Sequence, residues 1–289
     1  MFDLYANVVA GGVLIGLIYA LVALGLTIMF GVMKIVNFAH GEMVVIGMYI
    51  GYMLWSAFAL PPWVAMPIAA LLMFGLGYLL QRAFVNRFIS RPHHVQFILF
   101  IGLAFVITGA QLMLFGPDTR SISSPASFEV VRLGALRLDL VRLQGGIAAL
   151  LLILLLLAFL RFSLTGASIR AAADNQVGAQ AIGLRVKHVY AVTAGIGLAC
   201  AGAAGALIAP IFDVQPTLAQ GFTMVAFITV IIGGLGSLMG ALVGGLLIGV
   251  SESLAALLLN PAMKSMISYG LLIAMLLIRP EGMFGGRRR

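Results

Sequence analysis

Four polar residues crowd into the segment Gly31–Glu42, GVMKIVNFAHGE: Lys34, Asn37, His40 and Glu42. They interrupt what would otherwise be one apolar stretch from Val8 to Leu60. A carboxylate, an imidazole and a carboxamide this close together can bind a polar solute or relay a proton, but none can face lipid cheaply. Gly31 and Gly41 permit an irregular backbone, which at membrane depth survives only against protein or a water-filled cavity. Two readings follow. Asn37, His40, Gly41 and Glu42 line a translocation pathway at a broken helix, or they form an ordinary cytoplasmic turn with helix caps; Lys34 reads as a cytoplasmic anchor. Glu252, between Ser251 and Ser253 in another apolar run, is a second candidate for the pathway or a paired structural group. Gln111 and Thr108 read as hydrogen-bonding partners of a neighbouring helix. The adjacent His93 and His94 lack the spacing of a metal site, and no metal is expected.

The second polar feature is Ser163–Gly183, SLTGASIRAAADNQVGAQAIG. Its Ala-rich body favours helix, Ser163 or Thr165 can cap the start, and Gly183 suits the position just past the end. Ile169, Ala172, Ala173, Val177 and Ala181 fall at helical spacing on one face, which predicts a single short amphipathic helix. A small-residue helix between spans is offered either to the lipid surface or to a partner.

The elements that hold these residues are membrane spans. Of 289 residues, 62% are hydrophobic and 9% charged, which excludes a soluble globular domain. The apolar runs are continuous rather than alternating, which excludes a transmembrane β-barrel. Candidate spans lie at about 8–30, 42–59, 63–85, 95–115, 144–161, 189–211, 221–236, 238–258 and 264–279, with 221–236 readable as a half-helix. The fold class is therefore an all-α polytopic membrane protein of about eight to nine transmembrane helices, one membrane domain over 1–289. No Lys or Arg precedes Lys34, so the first run is expected to be a retained span rather than a cleaved signal. The single Cys200 sits in an apolar run and reads as inert packing.

Charge predicts the orientation. Arg82, Arg87 and Arg91 share one short loop; Arg161, Arg170, Arg185 and Lys187 surround the polar helix against Asp174 alone; the tail carries Arg279, Arg287, Arg288 and Arg289. The 116–143 loop is balanced and is expected outside, as a small cap and docking surface for an external partner. The 162–188 loop is then cytoplasmic, the N-terminus periplasmic and the C-terminus cytoplasmic. An odd number of crossings is required, and nine fits. The net charge of +8 has this membrane origin, and no nucleic acid is expected as a partner.

Gly236, Gly240 and Gly244 are four apart, and so are Ala241, Gly245 and Gly249, a spacing that lets helices pack closely within a bundle or at a subunit interface. The Gly234–Gly236 pair follows no strand and is not a nucleotide loop. No GxxxxGK followed by Ser or Thr occurs, so the chain is not expected to hydrolyse ATP or to be an enzyme.

Several segments together resemble one family, the LivH-type inner-membrane permeases of branched-chain amino acid ABC importers. They are GLIYALVALGLTIMFGVMKIVNFAHGE at Gly16–Glu42, ASIRAAADNQVGAQAIGL at Ala167–Leu184, AFITVIIGGLGSLMGALVGGLLIG at Ala226–Gly249 and RPEGMFG at Arg279–Gly285. Ala167 departs from the family's loop, which more often has Arg there. The resemblance implies an ABC importer permease bundle forming half of a translocation pathway. It also implies a second, LivM-type permease as heterodimer partner, two ABC ATPase subunits and a periplasmic solute-binding protein. ATP and Mg would be bound by the ATPases, with no cofactor on this chain. The loop around Ser168–Ile182 would be the coupling helix, with Ser168, Ile169, Arg170, Ala173, Asp174, Asn175, Val177 and Ile182 meeting an ATPase. The implied substrates are leucine, isoleucine and valine; relatives with similar signatures import urea, short amides or other small solutes. Two other classes compete: a secondary transporter using His40, Glu42 and Glu252 as a proton relay, and a non-transporting scaffold.

Overall fold

A computed structural model describes residues 2–89, 91–134, 136–260 and 263–285. Arg287, Arg288 and Arg289 lie outside the described residues. The helices are α1 (Phe2–Met33), α2 (His40–Phe58), α3 (Pro62–Ala83), α4 (His93–Phe115), α5 (Leu140–Phe162), α6 (Leu164–Asp174), α7 (Gln176–Ala181), α8 (Val186–Ile208), α9 (Ala219–Gly233), α10 (Leu238–Leu258) and α11 (Lys264–Ile278). Among the described residues eight helical segments are long and apolar enough to span a bilayer; α9, of 15 residues, is one of them only together with the 3-10 turn before it, as Pro216–Gly233, and α11, also of 15 residues, stays shorter. The expected 221–236 segment is shifted toward the N-terminus, to a helical stretch from Pro216 to Gly233 long enough to cross, which leaves α11 as the short crossing.

Contacts at the helix ends sort the bundle into two poles. At one pole, β1 (Val130–Leu133) and β2 (Leu136–Asp139) form an antiparallel hairpin, and Arg137 N–H donates to Asn7 Oδ1 near the start of α1. Arg120 and Val214 exchange backbone hydrogen bonds there, joining the loops after α4 and α8. Helix α5 begins inside the 116–143 loop, because Asp139 accepts from the Val141 and Arg142 N–H groups and caps it at Leu140. At the other pole, Asn86 donates to the Lys187 carbonyl and Tyr78 pairs with His188 at 3.1 Å, joining the end of α3 to the start of α8. The polar helices α6 and α7 lie at this pole.

Helix α11 starts at the hairpin pole, yet Met283 and Phe284 N–H donate to the Ile232 and Gly233 carbonyls at the end of α9. Those carbonyls sit beside Gly236, which lines a groove with Lys34, Arg161 and Arg170. The described chain therefore begins at the hairpin pole and ends at the polar-helix pole, after nine traverses.

Helices α1 and α8 form the centre. Helix α1 is apolar all round, the pattern of a helix enclosed on every side, and α8 is a run of Gly and Ala whose residues are nearly all buried. Small residues let α3, α2 and α1 approach α8 closely: a side chain at Gly195 would strike Phe74, and one at Gly205 the backbone of α2. Helices α3 and α4 leave most of their apolar surface outward, as spans facing lipid do.

The glycines of α10 divide between two neighbours. Gly240 and Gly244 meet the Gly233 and Thr229 carbonyls of α9, whereas Gly245 and Gly249 meet the backbones of Ala20, Gly12 and Gly16 on α1. Gly236 belongs to neither face: it precedes α10 and turns the chain at φ +86°.

Candidate functional site

The break between α1 and α2 is made by Lys34, in the left-handed region at φ 57°, and by Asn37, whose Oδ1 accepts from the Ala39 N–H at 3.0 Å. The expected glycines do not make it. Gly31 lies within α1 and Gly41 in the first turn of α2. Gly41 is needed for close approach, because a Cβ there would collide with the Ala219 carbonyl and the Thr223 side chain on α9. Its N–H donates to Thr223 Oγ1 at 3.0 Å.

From Lys34 the chain turns back into the bundle. His40 donates through Nε2 to the Val22 carbonyl at 2.9 Å, about three turns short of the end of α1. A carbonyl can only accept, so Nε2 carries the proton. Lys34 is exposed, but Ile35, Asn37, Ala39 and His40 are buried and Val36 and Phe38 half-buried, so residues 35–39 are non-helical backbone set into the protein. Gln111, expected to bond a neighbouring helix, reaches from α4 and donates to the Glu42 carbonyl at 3.1 Å. Phe38 packs between Phe97 and Phe227.

Glu42 is 7% exposed and its Oε2 has no hydrogen-bond partner among the described residues. Its side chain lines a cavity of about 400 Å³ between α4 and α9, with Phe38, Phe105, Thr108, Gln220 and Thr223. Glu252 lies elsewhere. Tyr19 and Ser268 donate to its two oxygens at 3.2 and 2.7 Å. It lines a separate cavity of about 280 Å³ between α1, α9, α10 and α11. Helix α9 stands between the two carboxylates, lining one cavity with Thr223 and the other with Phe222 and Val225. The structure therefore does not gather His40, Glu42 and Glu252 into one proton relay.

The second candidate region departs from the expected single helix. Ser163 Oγ accepts from the Gly166 N–H and starts α6; Asn175, extended at φ −145° and ψ 104°, ends α6 and caps α7 through the Gly178 N–H. Gly183, at φ +87°, closes α7: its N–H bonds the Gln180 carbonyl while Leu184 N–H reaches Ala179. Ile169, expected to meet a partner, is 4% exposed and packs into the bundle with Ala172. Ala173 is half-buried and Ser168 Oγ donates back to the Leu164 carbonyl. Val177 and Ile182 are 76% and 74% exposed, and Arg170, Asp174 and Asn175 are also exposed. Beside them, Lys34, Arg161, Arg170 and Asp174 border a groove of about 830 Å³ that reaches Gly236.

Residues 8–276 match the family described as branched-chain amino acid transport system / permease component. The chain belongs to that family. It is 31% identical to the high-affinity branched-chain amino acid transport system permease protein LivH of Escherichia coli (strain K12), over 95% of this chain and 93% of that one. It is 28% identical to the permease protein BraD of Pseudomonas aeruginosa, over 97% and 96%. A solved structure, PsaBC from Streptococcus pneumoniae in complex with Fab, superposes at a TM-score of 0.49 with 12% identity over 96% of this chain and 93% of that one, too weak a likeness to carry weight.

As a member of this permease family the protein is a transporter component rather than an enzyme. Of the permease's polar residues, Thr223, Gln220 and Tyr19 were not singled out in the sequence. A lone hydroxyl or carboxamide in an apolar run carries no signal until its cavity is known. Among the described residues, four of the six buried side-chain atoms without a hydrogen-bond partner lie on α2 or reach it, namely His40 Nδ1, Glu42 Oε2, Tyr49 Oη and Gln111 Oε1; the other two are Thr27 Oγ1 on α1 and Thr229 Oγ1 on α9.

Proposed function

We propose that the chain supplies half of the translocation pathway of an ATP-driven importer of branched-chain amino acids. A second, LivM-type permease supplies the other half, two ABC ATPases bind ATP and Mg, and a periplasmic solute-binding protein delivers substrate. The observation that carries the reading is the non-helical segment 35–39, buried or half-buried at every residue. It leads to an unpartnered carboxylate on a cavity wall, an arrangement costly in a scaffold and useful in a pathway. The names of the relatives support the substrate.

The polar-helix pole is cytoplasmic in this reading. Lys34, Arg82, Arg87, Arg91, Arg161, Arg170, Arg185, Lys187 and Arg279 face Asp174 and Glu281 there. Arg120, Arg132, Arg137, Arg142 and Lys264 at the hairpin pole are matched by Asp3, Asp118, Glu129, Asp139 and Asp213. That puts the N-terminus in the periplasm and the membrane in question is the bacterial inner membrane. Helices α6 and α7 are the coupling element, presenting Arg170, Asp174, Val177 and Ile182 to an ATPase. Closure of the ATPases pushes on this element and switches the bundle between two packings, for which the glycine faces of α10 provide close sliding contacts.

The test is co-purification of the tagged chain in mild detergent, followed by reconstitution with the binding protein and ATP. Two ATPases, a second permease and ATP-dependent leucine uptake are expected. A lone chain that supports uptake driven by a proton gradient overturns the reading.

A further inference from the structure

Resting on the importer reading, we propose that Glu42 is the residue of the pathway that receives the substrate's ammonium group. A carboxylate more than nine-tenths buried, with an oxygen lacking any hydrogen-bond partner, needs a cation or several donors to be tolerated. The cavity it lines supplies no cation among the described residues, none of its lining residues being Lys, Arg or His. Among the lining residues, Thr108 and Gln220 carry donors able to meet a substrate carboxylate, and Phe38, Ile101 and Phe105 give an apolar wall for a branched side chain. At about 400 Å³ the space is of the size that small-molecule sites take. Glu252 does not compete for this role, because Tyr19 and Ser268 already donate to its two oxygens. The neighbours of Glu42 hold its backbone rather than its charge: Gln111 takes its carbonyl, and Gly41 N–H is fixed on Thr223. The carboxylate is thus held beside the cavity with Oε2 buried and unpaired.

The experiment uses the complete reconstituted importer with its binding protein, in a Cys200→Ala background so that Glu42→Cys carries the only thiol of this chain. Labelled leucine uptake and ATP hydrolysis are read together. Glu42→Gln is expected to lower uptake at least tenfold while hydrolysis stimulated by the loaded binding protein stays within twofold. Glu42→Cys should be as impaired, and alkylation with iodoacetate, which restores a carboxylate, should recover uptake. Iodoacetamide, which leaves a neutral group of the same size, should not. Equal recovery by both reagents, or wild-type uptake in Glu42→Gln, overturns the proposal while leaving the importer reading intact. So does failure of iodoacetate, smaller than leucine, to reach the introduced thiol, read by mass spectrometry. An unmutated complex that hydrolyses ATP but takes up no leucine removes the substrate reading and this inference with it.

Discussion

Ser268 Oγ lies 2.7 Å from Oε1 of Glu252, and with Tyr19 on the other oxygen it makes this intramembrane carboxylate a three-helix tie between α11, α10 and α1. Removing the acceptor strands the Tyr19 hydroxyl and leaves Ser268 only a long contact of 3.5 Å to the Lys264 carbonyl. Glu252→Ala is expected to destabilise the permease by about 1–3 kcal/mol, the usual cost of buried donors left unpaired. Thermal melting of the detergent-purified complex should fall for Glu252→Ala, with ATP-dependent uptake by the surviving complex unchanged. Lost uptake at unchanged stability would return Glu252 to the pathway.

The two faces of α10 differ from lipid-facing glycine. A side chain at Gly249 would overlap the backbones of Gly12 and Gly16, whereas at Gly102 it would meet nothing. Gly249→Val is expected to cost about 1–3 kcal/mol or more through overpacking and to lower the yield of folded permease. Gly102→Ala should be neutral or slightly stabilising. Expression and melting temperature check both.

On α6 and α7, exposure separates a docking residue from a core residue. Val177→Asp and Ile182→Asp should leave the melting temperature of the isolated permease within a degree or two and sharply reduce the ATPase that co-purifies. Ile169→Asp should unfold this pole first, since it buries a charge without a partner. The charge swap Arg170→Glu with Asp174→Arg should abolish uptake while expression persists.

Asn175 is exposed, and its side chain caps α7 through Gly178 N–H at 2.9 Å. Asn175→Ala is expected to cost about 1 kcal/mol locally. The measurable effect is faster amide exchange across Gln176–Ala181 and weaker coupling of hydrolysis to uptake, with Asn175→Asp retaining both.

His40→Ala removes the donor that pins the start of α2 to the Val22 carbonyl and empties a fully buried site. Uptake should fall with the complex still assembled, because the loss loosens the segment that positions Glu42. Uptake at the wild-type rate would reduce the segment to a structural turn.

The spans, their order and the polar breaks were legible in the chain itself. A bilayer demands continuous apolar runs, and any departure from them is visible without knowing a neighbour. Family resemblance in Gly16–Glu42 and Ala167–Leu184 carried the assignment from membrane protein to permease. The cap Gly183 was equally readable, being local chemistry, and the N-cap was narrowed to Ser163 or Thr165, of which Ser163 serves.

Neighbours were not. The four-residue spacing of glycines in α10 announced close packing, but only the assembled bundle divides them between α9 and α1. Ile169 and Val177 share a face in any continuous helix. The extended backbone at Asn175 separates them, sending one into the core and leaving the other exposed. Glu42 and Glu252 looked alike as carboxylates in apolar runs. Helix α9 passes between them, giving one two hydroxyl partners and the other an open cavity. Sequence alone determined which segments enter the membrane and which residues would be costly there, because both follow from the chemistry of each residue in lipid. Which of those residues are satisfied and which stay open was decided only by the tertiary structure, because a partner hydroxyl can come from a residue more than two hundred positions away, as Tyr19 does for Glu252.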